Sequence, residues 1–272
     1  MKNIVDFIRG VFIGIACAVP GVPNSSFKGK FNNSRKNFIF MPVVLGCAVG
    51  ILLMSKVIMW VCGYYIGPAY AFFIGLILGS IPMLVDKIKR SGFEPVYLIF
   101  TAFFTALIIF MTIISNNYPV VSPDFILIKS ISSVKDAVLI FAGGVFFCSL
   151  PIMPGVSGSA LLLGLNHFGS VFYAFSNIFE EPACVPIIIL FVSGALTGFL
   201  FVLRFVEWAM KNHLKITYYC SVGLLSGCVL SLFYNGIVNA YVGGNVPNII
   251  AQTLIFSGFT VLGFFIMNRI KK

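Results

Sequence analysis

Six stretches of this chain are apolar and unbroken over the length that a bilayer demands: Phe38–Cys62, Ile66–Val85, Val96–Ser115, Val185–Trp208, Ile216–Tyr234 and Ile249–Met267. A hydrocarbon core ~30 Å thick takes about 20 residues of helix to cross. Within it every backbone polar group needs an internal partner, so only helices and closed barrels can span. The runs are continuous and lack the period-2 alternation of barrel strands. The fold class read from this is an all-α polytopic membrane protein. Composition agrees: of 272 residues 59% are hydrophobic and 10% charged, and the mean hydropathy is +1.03. Soluble domains carry about 25% charged residues. The first apolar run, Val11 to Val19, leads into Pro-Gly and further spans rather than a cleavage site, so no signal peptide is read.

Two further runs are interrupted. Val11 to Pro23 contains Pro20-Gly21-Val22, and Ala137 to Ile178 contains Pro154-Gly155-Val156-Ser157-Gly158-Ser159. Non-helical backbone at membrane depth is tolerated only where protein or a water-filled cavity surrounds it. Each interrupted run is therefore expected to be a re-entrant helical hairpin. The second break is small and polar. Its glycines let the backbone approach a ligand closely, Ser157 and Ser159 bring hydroxyls, and a helix start after such a loop attracts anions. A Gly-rich turn between packed helices is the plainer alternative.

The breaks belong to an internal repeat. Gly10-Val11-Phe12 and Pro20-Gly21-Val22 match Gly144-Val145-Phe146 and Pro154-Gly155-Val156 at an offset of 134 residues. Further on the offset is 148: Gly46, Gly50, Lys56 and Trp60 match Gly194, Gly198, Arg204 and Trp208, and Tyr70, Gly75 and Gly79 match Tyr218, Gly223 and Gly227. The two tryptophans of the chain each follow a cation by four residues. Duplication is the strong reading. It divides the chain into a first repeat (1–115), a linker (116–136, with Pro119, Pro123 and Asp124) and a second repeat (137–272). The step from 134 to 148 leaves the first half 14 residues shorter between Val22 and Gly46, so its hairpin is expected to be truncated or rebuilt. The paired glycines form small-xxx-small faces that let helices approach closely.

Charge sets the expected orientation. With these spans, all loop cations but Lys129 and Lys135 fall on one side, Lys87, Lys89, Arg90, Lys211 and Lys215 among them. The positive-inside rule makes that side cytoplasmic, with both termini on it. Three full spans per half then invert the second half relative to the first. Inverted repeats with broken helices are a recurrent transporter architecture, with the site at the repeat interface. Lys56 and Arg204 sit within spans, where a charge is a functional hypothesis by default. They would attract an anion at the two faces; snorkelling to the interface beside the tryptophans is the competing reading. The seven cysteines form no Cys-x-x-Cys pair, and the two histidines, His167 and His213, lie near none, so no metal site and no cofactor is expected. The net charge of +10 sits in loops between spans and is no sign of nucleic acid.

Gly10 to Gly21, Gly50 to Lys56, Phe72 to Pro82 and Pro154 to Gly164 together resemble the polyprenyl-phosphate transporter family, over most of the chain. The resemblance implies a flippase that returns undecaprenyl phosphate across the bacterial cytoplasmic membrane, recycling the lipid carrier of cell-envelope polymers. It implies no catalysis, and a polyprenyl phosphate lipid and the membrane as partners, with a homo-oligomer one of the assemblies open to it. The family's first motif has a Pro-Gly-Val-Ser-Gly-Gly-Thr pattern, from which Pro23, Asn24 and Ser25 depart. The substrate-binding residues expected on this reading are Pro20, Gly21, Lys56, Pro154, Gly155, Ser157, Gly158, Ser159 and Arg204.

Two other functions stay open at this level. One is a membrane enzyme resembling undecaprenyl-diphosphate phosphatase. It would need an arginine in the second motif, where position 158 is Gly, and glutamates near the first. The other is a small-solute or ion transporter on the same scaffold.

Overall fold

The computed structural model describes residues 2–21, 40–115, 128, 130–131, 133–149, 153, 155–234 and 249–270. Pro154, the return arm expected for the first hairpin and most of the expected linker lie outside these residues. The described residues form α1 (Lys2–Ala18), α2 (Phe40–Tyr64), α3 (Ile66–Ser91) and α4 (Leu98–Ser115). They continue with α5 (Val134–Ser149), α6 (Gly158–Gly164), α7 (Phe168–Ser176) and α8 (Cys184–Thr197). A π-helical turn (Gly198–Val202) joins α8 to α9 (Leu203–Asn212), and α10 (Leu214–Phe233) and α11 (Ile249–Ile270) follow. Among the described residues, five stretches are long and apolar enough to cross a membrane: Met41–Tyr64, Gly67–Ser91, Pro95–Ile114, Cys184–Asn212 and Leu214–Phe233. They correspond to the first five of the six apolar runs. The sixth run lies within α11.

The bundle is apolar outside as well as inside, as a lipid-facing protein must be. Phe103, Phe110, Val57 and Ile189 are exposed on its surface. α3 and α10 are the most buried of the long helices and pack on each other at its centre. Pro82 lies inside α3 and cannot donate to the Leu78 carbonyl. Two residues earlier, the buried Ser80 hydroxyl donates to the Ile77 carbonyl at 2.6 Å. α5 opens with a capping box: Ser133 N–H donates to Asp136 Oδ2 (3.1 Å), and Lys135 N–H donates to Ser133 Oγ (3.3 Å).

Glycines seat the helices against one another, and the contacts recur in register. Gly10 and Gly14 rest on the Val43 and Cys47 carbonyls, and Gly46 and Gly50 on those of Phe7 and Val11. Residue numbers rise together across this contact, so α1 and α2 are parallel. Gly144 rests on the Phe191 carbonyl and Gly194 on that of Phe141. These are the counterparts of Gly10–Val43 and Gly46–Phe7 at the repeat offsets. In the same way Gly75 meets the Thr260 carbonyl and Gly79 the Met267 side chain, while Gly223 meets the Thr101 carbonyl and Gly227 the Ile108 side chain. Interhelical hydroxyls strengthen the α4–α10 seam, as expected where no hydrophobic force draws helices together in lipid. Thr101 Oγ1 donates to the Tyr219 carbonyl at 3.1 Å, and Thr105 Oγ1 lies 2.8 Å from Ser226 Oγ. α4 and α10 are parallel by this register, as are α3 and α11.

The end of α3 and the starts of α4 and α10 meet at one end of the bundle. Lys87 Nζ stands 5.8 Å over the Tyr218 ring, Lys215 pairs with Glu94 at 2.6 Å, and Glu94 N–H donates to Tyr219 Oη at 3.0 Å. Several of the cations that fixed the expected orientation are thus gathered here. The hydrogen bond from Lys215, with its charge, holds the Glu94 carboxyl below the usual carboxylate range. A depressed carboxyl stabilises the fold above its unfolded pKa, and that contribution fades as pH falls through the folded value. Both side chains are more than a third exposed, so the effect is small. Glu94→Gln is expected to leave thermal unfolding at neutral pH almost unchanged and to flatten its acid limb slightly, read by melting curves in detergent across pH.

Candidate functional site

Both breaks turn at a glycine in the left-handed region that favours glycine: Gly21 has φ 92° and Gly155 φ 84°. Both are buried, as is Pro20. Both also lean on α3. A side chain at Gly21 would meet Leu76 Cβ and the Ile77 backbone, and one at Gly155 would meet the Leu84 side chain. Ser80 lies between these two seats on the helix. The polar breaks, far apart in sequence, therefore share one central support.

They also touch directly. Ser159 Oγ donates to the Val19 carbonyl at 3.1 Å, and Ser157 Oγ lies 2.8 Å from Ser159 Oγ. A hydroxyl has one proton. With the Ser159 proton on Val19, the Ser157 hydroxyl is the donor to Ser159. The result is a short relay, Ser157 to Ser159 to Val19, that staples the second break to the end of α1. Both serines are fully buried. Gly158 packs on the Phe147 carbonyl, which holds the start of α6 against α5. α6 has only seven residues, so the hydroxyls rather than a helix dipole are its main polar resource.

The helical segment after the second break is itself divided, which the apolar pattern did not show. α6 stops at a Schellman motif: Asn166 N–H donates to the Leu163 carbonyl (3.0 Å) and His167 N–H to the Leu162 carbonyl (3.1 Å). Asn166 takes φ 64°, a conformation asparagine tolerates better than most residues. The Gly164-Leu165-Asn166 sequence was the available signal. The Gly164 carbonyl, left over at the helix end, accepts from Ser231 Oγ (2.6 Å) on α10 and Thr112 Oγ1 (3.0 Å) on α4. These two hydroxyls anchor the end of α6, and nothing in the sequence singles them out.

Lys56 and Arg204 lie elsewhere. Both are exposed, on α2 and α9, while the break is fully buried. Their tryptophan neighbours are exposed too, with Trp60 5.7 Å from Tyr64 and Trp208 stacked on Phe205 at 5.9 Å. The structure brings Pro20, Gly21, Gly155, Ser157, Gly158 and Ser159 to one buried region and leaves the two cations on the outer surface.

A family model described as undecaprenyl phosphate translocase-like matches residues 5–243, which include both breaks and every helix from α2 to α10. The chain belongs to this family. Within it, the protein is similar to the polyprenyl-phosphate transporter of Staphylococcus aureus, with 24% identity over 84% of this chain and 86% of that protein. It is also similar to the polyprenyl-phosphate transporter of Vibrio cholerae, with 25% identity over 67% of this chain and 52% of that protein. No solved structure matches the chain. This translocase-like protein is thus a multi-pass helical membrane protein whose named relatives are transporters.

Proposed function

We propose that this protein carries a polyprenyl phosphate across the bacterial cytoplasmic membrane, as the return step of lipid-carrier recycling, and performs no chemistry on it. The observation that carries the reading is the buried relay from Ser157 through Ser159 to the Val19 carbonyl. It joins two breaks in otherwise apolar helices, and its hydroxyls can exchange one oxygen acceptor for another. A phosphate oxygen replacing the Val19 carbonyl would take over the Ser159 proton and release the second hairpin from α1. Pro20, Gly21, Gly155 and Gly158 open the backbone there, and Pro154 is assigned to the same site from the sequence alone. Lys56 and Arg204 act farther out, drawing the anion toward the two faces.

The scaffold we infer is an inverted repeat, with residues 1–115 and 137–272 as the two halves and both termini cytoplasmic. Three observations support it. Glycine contacts recur at counterpart positions in the two halves. α1 and α2 run parallel, as the outward arm of a hairpin and the following span would. α11, the counterpart of α4, runs parallel to α3 rather than to α4. The relatives' names support the substrate class.

The test is complementation in bacteria depleted of other carriers, following the return of polyprenyl phosphate to the inner leaflet. Hydrogen bonds to a charged group contribute about 1.5–3 kcal/mol, so Ser157→Ala/Ser159→Ala is expected to lower recycling by about tenfold or more. Melting curves in detergent check that the variant still folds. Arg204→Ala is expected to give a partial loss, and undiminished recycling in that variant would remove Arg204 from the mechanism.

A further inference from the structure

A groove of about 610 Å³ opens between α2, α3 and α11, within the size range of ligand sites. Its α2 wall is Met54, Val57, Ile58 and Val61, spaced as one helical face. Lys56 falls on the opposite face of α2 and turns its charge away from the groove. The other walls are apolar as well, with Phe72 on α3 and Leu262 on α11. At one end the groove reaches Val19, and at the other Tyr65, beyond the end of α2. From Met54 to Tyr65 the rise of a helix gives a length of about 16 Å.

Val19 decides the occupant. It lines the groove, and its carbonyl accepts the Ser159 hydroxyl. The apolar groove and the polar relay are therefore contiguous, with one residue belonging to both. A peptide segment lying in the groove would bury its N–H and C=O groups against walls without polar partners, at a cost of ~1–3 kcal/mol or more for each. A hydrocarbon chain bears no such cost. An amphiphile with a phosphate at one end and an uncharged chain at the other satisfies both surfaces at once.

We propose that this groove holds the prenyl chain of the transported lipid, beginning at Val19, while the phosphate occupies the Ser157–Ser159 relay. The assignment rests on the proposed function and adds where the chain lies. It makes Val57 and Leu262, both exposed at the groove and neither a member of the polar relay, determinants of affinity for the lipid.

The experiment uses the full chain in nanodiscs with an undecaprenyl phosphate analogue bearing a photoreactive group on the isoprene units nearest the phosphate. Labelled peptides are mapped by mass spectrometry. The expected result is labelling confined to Val19 and the α2, α3 and α11 walls, competed by unlabelled undecaprenyl phosphate and not by phosphatidic acid. Val57→Trp and, independently, Leu262→Trp should each reduce labelling by about tenfold or more, since each places a large side chain where the chain would lie. Both sites are on the exposed face, so unchanged melting temperatures accompany the loss. Labelling on other helices, equal competition by phosphatidic acid, or undiminished labelling in both variants would overturn the groove assignment and leave the transport reading standing. A wild-type protein that retains no undecaprenyl phosphate would bring down the transport reading, and this inference with it.

Discussion

Gly155→Val is expected to abolish lipid recycling and to destabilise the protein by about 2–5 kcal/mol. Two costs add. The left-handed backbone at φ 84° is unfavourable for an L side chain, and most so for a β-branched one. The new Cβ would also fall on the side chain of Leu84, which is fully buried and has nowhere to move. Relief requires moving the break away from α3, which pulls Ser157 and Ser159 from their alignment with Val19. Thermal unfolding in detergent reads the first effect and carrier recycling the second. Gly63→Ala is the matched control. Gly63 is exposed in α2 and a side chain there meets nothing, so both readouts should stay at the wild-type level. Equal loss in both variants would mean that the chain does not tolerate substitution of glycine in general, and that the turn is not special.

Gly46→Leu and Gly194→Leu form the second large pair. Gly46 rests on the Phe7 carbonyl and Gly194 on the Phe141 carbonyl. A backbone carbonyl cannot rotate away as a side chain can, so the helices must separate along their seam. Each substitution is expected to cost above about 2 kcal/mol by overpacking. The informative outcome is the comparison. If the two seams are counterparts, the two losses in melting temperature match, though the residues lie in different halves and beside different sequences. A large loss at one and none at the other would break the equivalence on which the repeat reading rests.

The apolar runs located the long helices because burial of backbone polar groups in lipid leaves the chain no alternative. Boundaries differed where helices run on past hydrocarbon. α3 was expected to end near Val85 and continues through Asp86, Lys87, Lys89 and Arg90 to Ser91, and α1 begins at Lys2 rather than Val11. Hydropathy measures membrane thickness, whereas a polar helix end in water is equally good helix. The breaks were legible too, since Pro20-Gly21 and Pro154-Gly155 interrupt runs that have no other reason to stop.

The division between α6 and α7 at Asn166 was not read, because a single asparagine in an apolar stretch is a weak signal. Thr112 and Ser231 were not read either. Each is an ordinary small polar residue in a span, and only the approach of the Gly164 carbonyl gives them a task.

Sequence alone determined the helical membrane class, the positions of the long apolar helices and the two helix breaks, because each follows from local chemistry. Tertiary structure alone decided that both breaks lean on α3, that Ser159 bonds the Val19 carbonyl, that Lys56 and Arg204 face outward, and that a groove adjoins the relay. These are contacts between segments as much as 140 residues apart, and residue type and spacing do not encode which face of one helix meets another.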